Sequence, residues 1–540
     1  MIYGIPIVLK EGAKTQEGKN AINENINAIK AISEAIKPIY GPYGLGKVLI
    51  DKIGDITISK DCYTILEELE VEHPAAKMVI ELAKTLNKNC GDGVARSIIF
   101  LGELLKLGNE LIEQGIHPNI VLSGFKKSIV LIKKHIDSIK TKINLSDEEK
   151  LKDISSTTLN TKNTFGALNV LNDIAINTIK YIKELRGNKN YIDLDLVQIM
   201  KKEGEQVKDS TIIKGVIVDK EVVNESMPKI IKNAKIALIN HSLEITKTEF
   251  DTDIRITDPS QIIELKKQEE QMIKKMIDKI AKTGANVVFC QKGIDDLAQY
   301  YLSNYGIMAI RRVKRSDLIK LSKATGGEIV IDIDSISSQN LGEAEIVREQ
   351  QIGKDKMIFV ENCKNPKSIS VLIRGGTKNI IDDIERSLKN VLNVLKIIEE
   401  DPYFVPGGGA IEIELAKLLK EESQKIKTKE SITIETFANA IISLPLILIS
   451  NSGLDPMDYV TELIAIHSKK EGANYGINLN SRKIENMVEV GIIEPAMVFL
   501  RSLESATELS TMILRIDKMI KIAPLSKGPQ MPKKEDEDLD

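Results

Sequence analysis

The 540-residue sequence predicts a multidomain α+β chain of nested order, helical toward both ends and α/β in the middle. Three observations predict it. The length exceeds what one hydrophobic core usually supports. Apolar residues recur at helical spacing in the first and last thirds, whereas the middle alternates short β-type runs with helices. Mixed stretches separate these regions, as expected of a chain that leaves one domain and later returns to it.

In order, Ile22, Ile26, Ile29, Ile32 and Ile36 mark a first helix, and Gly41-Pro42-Tyr43-Gly44-Leu45-Gly46 breaks it. Val48-Leu49-Ile50-Asp51 and Ile56-Thr57-Ile58 are expected as short strands, followed by helices over 62–71, 74–88 and 95–114. Pro74 stands at the favourable first position of its helix. From Ser146 to about Gly204 the pattern is mixed. Ile212-Ile213, Val216-Ile217-Val218, Ile236-Ala237-Leu238-Ile239 and Val287-Val288-Phe289 then read as strands of one α/β segment. Asp258-Pro259 opens a helix whose first half, through Gln271, is polar, and whose second half regains a seam at Ile273, Met276, Ile277 and Ile280. Such a helix should project before it packs. A strand recurs at 369–373, and the rest is mostly helical to a charged tail over 529–540, expected to be disordered.

Composition excludes several classes. The apolar fraction is 42%, the charged fraction 28% and the net charge −3, so nothing global suggests nucleic acid or a membrane as partner. No uninterrupted apolar run approaches the ~20 residues that span a bilayer, and the start at Met1 lacks a secretory signal. A cytoplasmic address is expected. Cys62, Cys90, Cys290 and Cys363 form no C-x-x-C pair, and the five histidines no metal-hydrolase spacing, which argues against disulfides and zinc.

Four segments could carry chemistry. The glycines of 41–46 let backbone amides approach a phosphate. Ser59-Lys60-Asp61-Cys62 reads first as a helix cap. In Cys90-Gly91-Asp92-Gly93, Asp92 could hold Mg²⁺ bridging phosphates, with Gly93 opening the next helix, although Asp-Gly is also a plain turn signal. Gly407-Gly408-Gly409, between apolar flanks, offers close access to a base or ribose.

Taken together in this order, the segments resemble those of group II chaperonins, the family of the archaeal thermosome. The resemblance runs from Leu9-Lys10-Glu11-Gly12 to Leu514-Arg515-Ile516-Asp517. It is carried by Gly54-Asp55-Ile56-Thr57-Ile58, Glu72-His73-Pro74-Ala75-Ala76, Thr283-Gly284-Ala285-Asn286, Ala309-Ile310-Arg311-Arg312-Val313 and Lys364-Asn365-Pro366-Lys367. It implies a helical equatorial domain over 1–143 and 399–524, a small mixed intermediate domain over 144–210 and 367–398, and an α/β apical domain over 211–366. A helical protrusion would lie at about 244–275 and a flexible tail at 525–540. The helix at 294–305 would face unfolded clients inside a double ring of sister subunits. ATP with Mg²⁺ would meet Gly41, Pro42, Gly44, Gly91, Asp92 and Gly93. Asp61 would stand near the attacking water, Lys162 would sense the terminal phosphate, and Gly408 and Glu494 would hold adenine and ribose.

The chain departs from the family where hydrolysis is concerned. A threonine run after Gly-Asp-Gly is Val94-Ala95-Arg96-Ser97, with Arg96 a candidate compensating charge. A lysine in the first glycine loop is Tyr43, and Tyr63 occupies a position that is usually small. The aspartate that follows Glu-Arg-x-Leu is Asn390, whose amide orients water but cannot take its proton. Asp401, beyond the helix exit, is a poor stand-in. Two readings follow: an ATP-driven foldase subunit with slow turnover, or a nucleotide-binding structural subunit of a mixed ring, akin to the gamma-type paralogues of some archaea. A small-molecule kinase is a third reading, without a segment that supplies an acceptor pocket.

Overall fold

The computed structural model describes residues 14–17, 19–186, 189–244, 259–363, 369–469, 471–516 and 518–521. The Asp258 cap, the 364–367 segment and the tail fall outside these residues, as does the first part of the expected protrusion.

A strand, Lys14–Glu17, paired antiparallel with Lys518–Lys521, is followed by helix α1 (Lys19–Ile36), an antiparallel hairpin of Lys47–Ile50 with Ile56–Ser59, and helices α2 (Cys62–Glu68), α3 (Pro74–Cys90), α4 (Val94–Glu113) and α5 (Pro118–Ile139). The helical spacing read from the sequence is the buried stripe of α1, with Ile26, Ile29, Ile32 and Ile36 all inside. Helix α2 stops three residues short of the expected end, because Leu69 turns extended and His73, before Pro74, is held out of the helical region. The His73 imidazole accepts the Ala75 N–H and so caps α3.

Next come α6 (Glu148–Asn160) and α7 (Leu168–Ile182). Helix α7, backed by α6, packs on a three-stranded sheet in which Ile369–Gly375 lies between Val197–Glu203, parallel, and Thr211–Ile213, antiparallel. The run at 212–213 thus belongs to this sheet rather than to the α/β segment in which the sequence placed it. Only Lys214 separates it from Gly215–Val218, which pairs with Asp355–Cys363 in a different sheet. That second sheet has seven strands and mixed direction: Ile230–Ile239 runs parallel to Val287–Cys290 and antiparallel to Gly342–Ile352. Three helices dress it: α8 (Pro259–Lys282), α9 (Asp296–Asn304) and α10 (Arg315–Thr325). Residues 267–272 of α8 are exposed, whereas Ile273, Ile277 and Ile280 are buried. The expected switch from polar to packed is present along the described part of this helix.

Helix α11 (Lys378–Glu400) returns to the three-stranded sheet. After it, α12 (Ala410–Gln424), α13 (Glu430–Ser450), α14 (Pro456–His467), α15 (Met487–Val490) and α16 (Ala496–Ile513) lead back to the first body. Residues from both ends of the chain share its core: Phe437 of α13 meets Phe100 and Phe125 edge-on, at ring centroid distances of 5.2 and 5.6 Å. By length and composition α13 could cross a membrane. Polar residues such as Glu435, Asn439 and Ser443 interrupt its apolar run, and in the fold it packs against α4, α5 and α12. All four cysteines are buried and unpaired.

Candidate functional site

A cavity of about 360 Å³ opens where the helical core meets the core built around α11. Gly41, Pro42, Asp61, Gly91, Asp92, Gly93, Lys162, Gly408 and Glu494 all line it, although they come from six separate stretches of chain. Gly44 and Asn390 stand off the wall. Gly44 serves its own turn, since a β-carbon there would lie 2.2 Å from the Ile39 carbonyl oxygen. Asp401 is the C-cap of α11 and is not on the wall.

Two long helices begin at this cavity, α4 behind Gly93 and α12 behind Gly409, and neither has a side-chain cap. Their first N–H groups therefore remain for water or an anion, and the helix dipoles favour negative charge there. Gly91 (φ 72°) and Gly93 (φ 83°) hold the turn between them, and Asp92 Oδ1 accepts the Gly93 N–H at 2.8 Å. A side chain at Gly91 would strike Asn390, whose carbonyl oxygen lies 2.3 Å from the β-carbon position. Among the described residues no group of three or more His, Cys, Asp or Glu side chains is arranged to hold a metal. A Mg²⁺ ion fits this wall only with Asp92 and ligand oxygens together, the usual habit of that ion.

On the side of the cavity nearest α11, Asp61 is saturated. Its Oδ1 accepts Lys162 Nζ at 2.8 Å and Asn390 Nδ2 at 2.9 Å, and its Oδ2 accepts Thr64 N and Oγ1 at 3.0 and 3.1 Å. Burial opposes charge on this carboxyl, but the Lys162 ammonium and the Thr64 donors outweigh it and hold the pKa below the ordinary aspartate range. Burial, with the neighbouring Lys162 charge, brings the Lys60 amine down to about 8. Lys60 Nζ donates to the Pro42 carbonyl at 2.7 Å, pinning the first glycine loop.

Elsewhere on the wall the Arg96 guanidinium lies over the Phe499 ring at 4.7 Å. It meets Glu494 Oε1 at 2.6 Å and Glu412 Oε1 at 3.6 Å. Arg96, read from the sequence as a candidate compensating charge, is thus paired with two carboxylates on the same wall. Glu494, read as a ribose contact, is the closer of the two. Burial pushes Glu412 up to about 7 against the pull of Arg96, and it raises Glu494 as well. Val94 and Ala95 also line the cavity, presenting methyl groups in place of hydroxyls. Tyr43 reaches Asn480 at 3.2 Å, and Tyr63 turns its hydroxyl to Glu67, off the wall.

Glu412 and Asp383 received no role from the sequence. Glu412 follows the glycine triplet by one helical turn. Asp383, Ser387 and Asn390 are buried polar residues at helical spacing on the packed face of α11. That pattern, polar groups inside an apolar stripe, was the available signal.

A model of the TCP-1/cpn60 chaperonin family matches residues 32–524. The chain is 46% identical over 535 residues to the thermosome subunit beta of Sulfolobus acidocaldarius, covering 99% of this chain and 97% of that one. It is 47% identical over 521 residues to the thermosome subunit beta of Thermoplasma acidophilum, covering 96% of each. To the thermosome subunit alpha of Archaeoglobus fulgidus it is 43% identical over 532 residues, covering 98% and 97%.

Proposed function

The chain belongs to the TCP-1/cpn60 chaperonin family and has its multidomain fold, and we propose that it is a cytoplasmic chaperonin subunit that binds ATP in this cavity but hydrolyses it slowly. One observation carries the reading: glycine turns and helix N-termini from distant parts of the chain converge on one cavity, while Asp61 and Asn390, to which the resemblance gives the attacking water, are engaged with each other. The uncapped starts of α4 and α12 suit phosphate, and Gly408 and Glu494, on the same wall, would meet base and ribose. Bound Mg²⁺ would neutralise phosphate charge, with Asp92 as its protein ligand. A proton from an attacking water needs an acceptor. Asn390 offers an amide, and both Asp61 oxygens already accept hydrogen bonds. The subunit would join sister subunits in stacked rings and enclose unfolded proteins. Helix α9, with Tyr300 exposed, supports a client-facing surface.

The test is ATP binding and hydrolysis by the purified chain. Wild type should bind Mg-ATP, and Asn390→Asp should raise turnover by about 10²–10⁴-fold, the usual contribution of a general base. Equal turnover of the two proteins would overturn the impaired-hydrolysis reading, and absence of binding would overturn the nucleotide site. Mixing with sister subunits addresses the alternative of a nucleotide-binding structural subunit in a mixed ring. There the wild-type chain should support turnover only in the mixture.

A further inference from the structure

Beside the cavity, two buried carboxylates on opposite sides of the seam between the helical core and the α11 core are each held by donors from across it. Asp61, at the N-cap of α2, accepts Lys162 Nζ and Asn390 Nδ2 from the α6 and α11 side, at 2.8 and 2.9 Å. Asp383, on α11, accepts Ser59 Oγ from the hairpin side at 2.9 Å, and its second oxygen accepts Asn163 Nδ2 at 2.9 Å. The two halves are joined on each side. Asp61 N donates to Ser59 Oγ at 3.0 Å, Lys162 adjoins Asn163, and Asp383 and Asn390 lie two helical turns apart on one face of α11. Asp61, Asp383, Ser59 and Asn390 are all at least nine-tenths buried.

We infer that Asn390 is a positioning residue: its amide closes this reciprocal clasp, and the clasp sets how readily the two cores part beside the cavity. The chemistry of the side chain decides it. An amide can donate to Asp61, so the contact is attractive, and Lys162 is left to neutralise one carboxylate. A carboxylate at 390 would place a second negative oxygen against Asp61 Oδ1, with the single Lys162 ammonium to offset both, in a setting where like charges repel strongly. The clasp is a property of the chain without ligand. Only its effect on nucleotide release rests on the function proposed above.

Hydrogen–deuterium exchange on the full-length, nucleotide-free chain tests it. Asn390→Asp should speed exchange of the amides at 61–65 and 384–390 by at least about tenfold, the equivalent of one well-placed hydrogen bond to a charged group. The double variant Asp61→Asn with Asn390→Asp puts an amide opposite a carboxylate again and should return exchange to within about threefold of wild type. A steric effect at 390 would not be rescued by this swap. Should Asn390→Asp fail to fold, Asn390→Ala, which adds no charge, should still speed exchange at the same amides by about fivefold. Wild-type protection in Asn390→Asp or Asn390→Ala, or a swap without rescue, would overturn the clasp. The fluorescent analogue mant-ADP should leave Asn390→Asp faster than wild type by a similar factor. If wild type binds no nucleotide, the nucleotide reading fails, while the exchange arms still decide the clasp.

Discussion

Two regions of the cavity wall, one around Asp61 and one around Arg96, handle buried charge in opposite ways. Around Asp61 one carboxylate meets one ammonium, and four hydrogen bonds fill both of its oxygens. Around Arg96 one guanidinium is shared by two carboxylates, and Glu412 Oε2 is buried without a hydrogen-bond partner. A satisfied network holds geometry and resists exchange of partners, whereas an unsatisfied one is poised to accept a further donor. The first region therefore reads as a fastening and the second as a place where a ligand gains by arriving.

The largest expected effect comes from breaking the crowded region. Arg96→Ala leaves Glu412 and Glu494 buried with no cation, and unfolding by denaturant should show a loss of about 3–5 kcal/mol. Adding Glu412→Gln should recover part of it; a loss no larger than that of a surface substitution would place Arg96 outside any charge network. The second effect is in pH and has opposite signs in the two regions. The Glu412 carboxyl is raised from 4.5 to about 7, so its contribution to stability is full below pH 4.5 and is lost as pH rises through about 7. Glu412→Gln should flatten that limb of the stability profile. Asp61 is depressed below 3.8, so its contribution is full above that value and is lost as pH falls through the lower folded-state pKa. Asp61→Asn should flatten the acid limb and leave the neutral one. The smallest effect is at the rim, where Tyr43→Phe removes an exposed hydrogen bond to Asn480 and should change stability by less than about 0.5 kcal/mol.

Much of the framework could be read locally. The stripe of α1, the proline start of α3, the polar-to-packed switch in α8 and the glycine turns around Asp92 are short-range patterns, and each appears in the fold. The cavity wall was legible to the same degree, because glycine and aspartate at turns announce themselves. Other features were not. Gly44 looked like part of a phosphate loop and instead relieves its own turn. Arg96 looked like a compensating charge for the lost threonines because its partners, Glu412 and Glu494, lie more than three hundred residues away. Asp383 drew no notice, since a single aspartate on an amphipathic helix reads as solvent-facing.

By itself the sequence determined where helices and strands form, which loops can bring backbone amides close to an anion, and that position 390 carries an amide rather than a carboxylate. Those are consequences of side-chain periodicity, glycine backbone freedom and functional-group chemistry, all local. Only the tertiary structure decided what each charge faces. It turned Arg96 to two glutamates and bound Asn390 to an aspartate 329 residues away. Electrostatic partnership depends on distance in space, and a chain that leaves its helical core at α5 and re-enters it at α12 brings together residues that no local pattern connects.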